Sequence, residues 1–167
     1  MARGIGSHVE GGGTVAHGHY AHAEGINTLA LGRASHTEGN QTRTAGEGSH
    51  AEGGVTDAGG KYSHAEGYYT IADGNYSHTE GVSTQALSEA MHVQGKYNKT
   101  TSGMAHVVGW GSSTTPKDIH TLDTKGNAWF AGDIYSNNKK VLTEDSTIIS
   151  QIYTISDGGV DGGPTGD

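Results

Sequence analysis

Histidine and glutamate recur two residues apart through most of this chain, and a His-x-Glu pair can do two kinds of chemistry. On a strand both side chains fall on one face, where an imidazole nitrogen and a carboxylate oxygen can ligate one metal ion. The same two groups can also act as a hydrogen-bonded acid and base. The pairs are His8/Glu10, His22/Glu24, His36/Glu38, His50/Glu52, His64/Glu66 and His78/Glu80, followed by His92/Gln94 and His106/Val108. Catalysis fits them poorly. An active site needs one perturbed constellation in a pocket, whereas these pairs repeat a single environment. No nucleophile motif, phosphate-binding loop or dinucleotide fingerprint accompanies them, so the expectation is a non-enzymatic protein. The other ligand-rich stretch, His17-Gly18-His19, occurs once and at variable positions.

What positions the pairs is a repeat. Successive histidines are 14 residues apart without insertion or deletion, and eight copies fill residues 7–118. The unit reads S-H-A-E-G-x-x-T-x-A-x-G-x-x, with Thr14, Thr28, Thr42, Thr56, Thr70 and Thr84 at its eighth position. Its tenth position is always Ala or Thr, and its twelfth is Gly18, Gly32, Gly46, Gly60 and Gly74 before turning to Ser88, Ser102 and Pro116. Alternation with a period of two is a strand signal, and the glycines interrupt it. Each unit is therefore expected to form two strands of about five residues joined by tight turns. Stacking such units at roughly 4.8 Å gives an all-β parallel solenoid on the order of 40 Å long.

Composition agrees with a solenoid rather than a globule. The 167 residues include 29 Gly, one Phe and only 24 Val, Ile, Leu and Phe together. That apolar share lies below the roughly 20% at which disorder becomes a live alternative. Disorder does not hold a fixed register over eight copies, so it is set aside. The net charge of −8, with eleven histidines taken as neutral, argues against nucleic acid or an anionic membrane as partner. There is no cysteine for disulfides or thiolate metal sites. No signal peptide and no membrane-spanning run is expected.

Variation between copies predicts which way each position faces. Positions 1, 3 and 5 and positions 8, 10 and 12 are uniformly small, as the inside of a thin roll requires. Position 9 wanders from Val15 and Leu29 to Arg43, Asp57, Ile71, Gln85 and Lys99, as a solvated position does. The His and Glu positions point outward yet barely vary. A roll this thin buries little apolar surface, so the constant face is expected to meet copies of itself in a closed symmetric oligomer. The ladder assigned to that interface is His8, Glu10, His22, Glu24, His36, Glu38, His50, Glu52, His64, Glu66, His78, Glu80, His92, Gln94, His106 and Val108. The change from Glu to Gln94 and Val108 makes the face less ionic toward its C-terminal end. No cofactor is expected, a metal ion on the ladder being the alternative. If assembly forms ionised pairs, imidazole values rise and carboxylate values fall on assembly.

The 14-residue unit with its five-residue core ending in Gly resembles the YadA-type head repeat of trimeric autotransporter adhesins. That family's core commonly reads S-V-A-I-G, so His64 and Glu66 stand where the family has apolar Val and Ile. The resemblance implies a left-handed parallel β-roll built as a homotrimer. The S-H-A-E-G variant looks more like the head-type repeats of phage and prophage tail fibres and tail appendages, and residues 119–135 resemble a module near the ends of such proteins. It implies a structural, host-attaching segment of a virion, with a cell-surface receptor, possible carbohydrate, and other tail components as partners. The alternative is the head of a bacterial trimeric surface adhesin, located at the cell surface. Tyr68, Tyr69, Tyr97 and Trp110 are the candidate receptor contacts, with stacking over turns as their plainer role.

Outside the repeats, residues 1–6 read as a lead-in and 119–140 as a β-hairpin cap turning at Thr124-Lys125-Gly126-Asn127. Trp129 and Phe130 are expected to cover the open end of the roll. Residues 141–156 read as a short helix or coiled coil, with Val141, Ile148 and Ile155 seven apart, and a strand as the alternative. Residues 157–167 read as a flexible tail.

Overall fold

The structure, a computed structural model, describes residues 1–136 and 139–142. No helix occurs among the described residues. From Met1 to Ala131 the chain is one compact unit, a parallel β-solenoid whose coils are 14 residues long. The histidine strands begin with His8–Gly12 and His22–Ile26 and end with His92–Lys96 and Met104–Trp110, with shorter strands such as His64–Ala65 between. They pair in parallel with like residues side by side: His8 with His22, His50 with His64, His92 with His106. A second sheet stacks Val15–Ala16, Leu29–Ala30, Arg43–Thr44, Asp57–Ala58, Ile71–Ala72 and Gln85–Ala86.

The interior is as thin as the composition predicts. Ala16, Ala30, Ala58, Ala72 and Ala86 from one sheet meet Ala23, Ala51 and Ala65 from the other, all fully buried, with the threonine column between the strands. The last coils fully bury larger apolar groups, Met91, Val93 and Val107, and at the other end Val9 packs half-buried against the alanines. The serine that opens the unit brackets the turn before it. Ser35, Ser49, Ser63 and Ser77 each donate a hydroxyl hydrogen bond of 2.7–2.8 Å to the glycine carbonyl three residues earlier.

The two glycine columns serve different needs, and the fifth-position one is not interior. Gly39, Gly53 and Gly67 are exposed. Gly67 has φ +103°, and a Cβ there would lie 2.2 Å from the carbonyl oxygen of Gly81. The twelfth-position column has ordinary φ but equally close stacking: a Cβ on Gly46 would sit 1.8 Å from the Gly60 oxygen. Positive φ also occurs at the seventh and fourteenth positions, occupied largely by non-glycine residues. Val55, Tyr69, Tyr62, Tyr76 and their equivalents hold φ between 46° and 60°. Cross-coil hydrogen bonds hold them there, as from Tyr69 N–H to Gly54 C=O at 2.9 Å and Tyr76 N–H to Lys61 C=O at 2.8 Å.

The close stacking explains where the second sheet stops. Ser88 is the first side chain at the twelfth position, and a further coil stacked on it as Gly60 stacks on Gly46 would strike its Cβ. The last strand of that sheet is Gln85–Ala86, whereas the histidine sheet, which keeps Gly95 and Gly109 in step, continues to Trp110. The seventh and eighth copies thus keep their first strand and lose their second. At the other end, residues 1–6 do more than lead in. Ala2 bridges Ala16 in parallel, and Ala16 N–H donates to Met1 C=O at 3.1 Å. Ala2 and Gly4 stand one repeat before Ala16 and Gly18, so these residues form the second half of a preceding coil.

Beyond the last coil the sheet turns antiparallel. Asp118–Asp123 pairs with Met104–Trp110, and Ala128–Phe130 pairs with Asp118–Asp123. Trp129 and Phe130 are 51% and 44% exposed, so it is strand backbone, not these rings, that follows the final coil. Ala128–Phe130 is the last strand of this sheet among the described residues. The second unit begins at Gly132. Its described strands, Ile134–Ser136 and Lys139–Leu142, pair antiparallel, so Val141 and Leu142 are strand where a helix was expected to begin. The rest of that expected helix, 143–156, and the tail 157–167 lie outside the described residues.

Candidate functional site

The constant face is two columns set by strand alternation. Every second residue of a histidine strand turns outward, and parallel in-register pairing places each His over the next. From His22 to His92 neighbouring rings stack with centroids 4.7–4.9 Å apart and planes within 8° of parallel. His8 and His106 end the stack with tilted rings. The glutamates form the second column, Glu24, Glu38, Glu52, Glu66 and Glu80 lining a groove with Gly39, Gly53, Gly67 and Gly81.

The two columns stand close without hydrogen bonding. Nε2 of His22 is 3.6 Å from Glu24, and Nε2 of His36 is 4.0 Å from Glu38. Farther along, His78 Nε2 reaches back to Glu66 at 3.6 Å and His92 Nε2 to Glu80 at 3.8 Å. The side chains are 31–41% exposed, yet Nε2 of His22, His36, His50, His64, His78 and His92 is shut off from solvent and has no hydrogen-bond partner among the described residues. One rung does bond: the Gln94 amide contacts His106 Nε2 at 3.3 Å, at the point where Glu gives way to Gln.

Charge sharpens the description. Burial pushes the His50 imidazole below its ordinary value, and neighbouring His64 adds to this against the pull of Glu52, Glu38 and Glu66. His106 is likewise held down, by burial first and then by His92 and His120. A raised imidazole, expected for ionised pairs on assembly, is therefore not a property of these two histidines in the single chain. The glutamate column sets one carboxylate per coil, Glu24 to Glu80, along one outward groove beside the imidazoles.

His120 extends the column and was missed by the motif. It falls 14 residues after His106, stacks edge-on to it at 5.4 Å and lies against Phe130 at 4.5 Å. The repeat spacing, followed past the last recognisable motif, points to it. Sequence reading also passed over charges one coil apart: Arg33 bonds Glu47 at 2.8 Å, and Arg43 grips both oxygens of Asp57 at 2.8 and 2.9 Å.

The candidate receptor contacts are dispersed. Tyr68 and Tyr69 meet edge to face at 4.5 Å and are about half exposed. Tyr97 is half-buried in its turn, and Trp110, 61% exposed, carries the Lys96 ammonium 4.5 Å above its ring. Tyr62 and Tyr76 stack in parallel at 5.8 Å over successive turns. Tyr97 lines a surface groove with Asn98 and Lys99 that Tyr68, Tyr69 and Trp110 do not share. No family model matches the chain, and no curated protein shows detectable similarity to it. The class defined by fold and face is a parallel β-solenoid of 14-residue coils with an outward histidine and glutamate ladder.

Proposed function

We propose that this chain is a non-enzymatic, rigid structural segment of a phage or prophage tail fibre or appendage, assembling as a homotrimer and contributing to host attachment. The observation that carries the reading is the contrast between outward positions. His and Glu recur coil after coil, while the equally outward ninth position runs through Val15, Leu29, Arg43 and Asp57. A solvated face has no reason to keep one residue type in register; a face packed on copies of itself does. The outward carboxylates, one per coil, are groups that a neighbouring chain's ladder can satisfy. In this reading the polar ladder sets chain register, as buried polar groups can at an interface. Receptor contact falls to the exposed, variable turn residues, Tyr68, Tyr69, Tyr97 and Trp110 among them.

Attachment is tested by competition. Purified protein added to host cells should block adsorption of the parent phage, and a Tyr68→Ser, Trp110→Ser double variant should block less well. Full competition by that variant would remove these residues from the contact surface, and no competition by the wild type would count against attachment itself.

A further inference from the structure

We propose that the ladder is a transition-metal site of the zinc, cobalt and nickel class, with two ions bound per chain. One would be held by His22, Glu24 and His36, the other by His50, Glu52 and His64. Within each group one ligand atom per residue lies within 4.8 Å of every other. These are two imidazoles and a carboxylate, a donor set suited to a borderline ion and unlike the all-oxygen sets of calcium or magnesium.

The distances separate ligation from hydrogen bonding. At 3.6 Å, His22 Nε2 and the Glu24 oxygen are too far apart to share a proton. An ion bonded to both at about 2.0–2.1 Å spans such a gap with an ordinary angle of roughly 120°. The two imidazoles of each group are stacked in parallel with ligand atoms up to 4.8 Å apart, so binding turns both rings out of the stack and brings their nitrogens to about 3.4–3.6 Å. The second observation is independent of the glutamates. Nε2 of His22, His36, His50 and His64 is closed off from water and has no hydrogen-bond partner among the described residues, so each is a buried nitrogen in need of something to bind.

The stoichiometry follows from the geometry. An imidazole offers one Nε2 lone pair, so His36, once committed with His22, cannot also serve with His50. Sites therefore occupy alternate pairs of coils. The inference stands on single-chain geometry and does not depend on the trimer or on attachment.

The full chain, stripped with chelator, is dialysed against micromolar zinc chloride and its bound metal measured. Two zinc ions per chain are expected in the wild type and none in the His36→Gln, His64→Gln double variant. A His17→Gln, His19→Gln control should still hold two. Cobalt in place of zinc should give the intense visible bands of a low-coordinate nitrogen and oxygen site. Should the double variant fail to fold by circular dichroism, Glu24→Gln with Glu52→Gln takes its place and should lose the cobalt bands. Wild-type zinc no higher than in the ladder variant, loss in the control, or a cobalt spectrum like that of the free aqueous ion would overturn the proposal.

Discussion

The side-chain amide of Asn98 stands in for a strand along Gln85. Its Oδ1 accepts the Gln85 N–H at 2.8 Å and its Nδ2 donates to the Gln85 carbonyl at 3.1 Å. In earlier coils the main chain does this, as when Leu29 N–H donates to Thr42 C=O and Ala16 N–H to Met1 C=O. Asn98 occupies the position that is threonine in the first six copies, so the substitution seals the last edge of the second sheet. Asn98→Thr restores the repeat residue but leaves Gln85 unpaired, and should cost about 1–3 kcal/mol. Chemical denaturation reads the loss, and faster amide exchange at Gln85 locates it; unchanged exchange would contradict the assignment.

Glycine stacking makes a second prediction. Gly46→Ala puts a methyl where the Gly60 carbonyl oxygen is 1.8 Å away, and Gly67→Ala adds a positive φ to a similar collision. Neither backbone can yield without breaking the coil spacing, so each should cost about 3 kcal/mol or more. Gly132→Ala, with open space around its Cβ, is the control and should melt like the wild type.

The threonine column offers a change expected to stabilise. The Thr56 hydroxyl is buried without a partner, whereas Thr84 donates its own to Glu80 C=O at 3.0 Å. Valine keeps the shape and β-branching and removes the unsatisfied oxygen. Thr56→Val should gain about 1 kcal/mol in denaturant unfolding, and Thr84→Val should lose a comparable amount. Equal effects of the same sign would show that hydroxyl satisfaction is not what distinguishes the two sites.

Acid dependence should be visible at Asp118. This buried carboxylate accepts the Lys99 N–H at 2.8 Å, and burial, the largest influence, pushes its pKa above the ordinary value. A raised folded value means the native state holds the proton more tightly than the unfolded chain. Its contribution is complete below the unfolded value and is lost as pH rises through the folded one. Asp118→Asn keeps the acceptor and removes the charge. It should be more stable than wild type at pH 7, and the two curves should converge in acid; a constant difference across that range would refute the assignment.

Much of the fold was legible because one spacing controls it. Fixed histidine spacing gave parallel in-register strands, and uniformly small residues marked the inner face, as Ala58 and Ala72 confirm. The turns were read less well. Glycines at the fifth and twelfth positions were read as the breaks between strands, yet Tyr69 and Tyr76, at the seventh and fourteenth, also hold positive φ through cross-coil hydrogen bonds that no local pattern reveals. The end of the second sheet was encoded in Ser88, but only the 1.8–2.0 Å approach between successive coils shows why one Cβ matters there. At the ladder the residues were found from sequence, whereas their 3.6–4.0 Å separations and enclosed Nε2 atoms depend on ring stacking. His120 was available to the same spacing, hidden by the loss of its surrounding motif.

The central claim is that the histidine and glutamate face is covered by copies of the chain. Light scattering coupled to size exclusion measures it directly at neutral pH. The account predicts a species of three times the 17.2 kDa chain mass. It also predicts that His64→Val with Glu66→Ile, the apolar residues of the resembling repeat, keeps that mass. A folded monomer at working concentrations would contradict it.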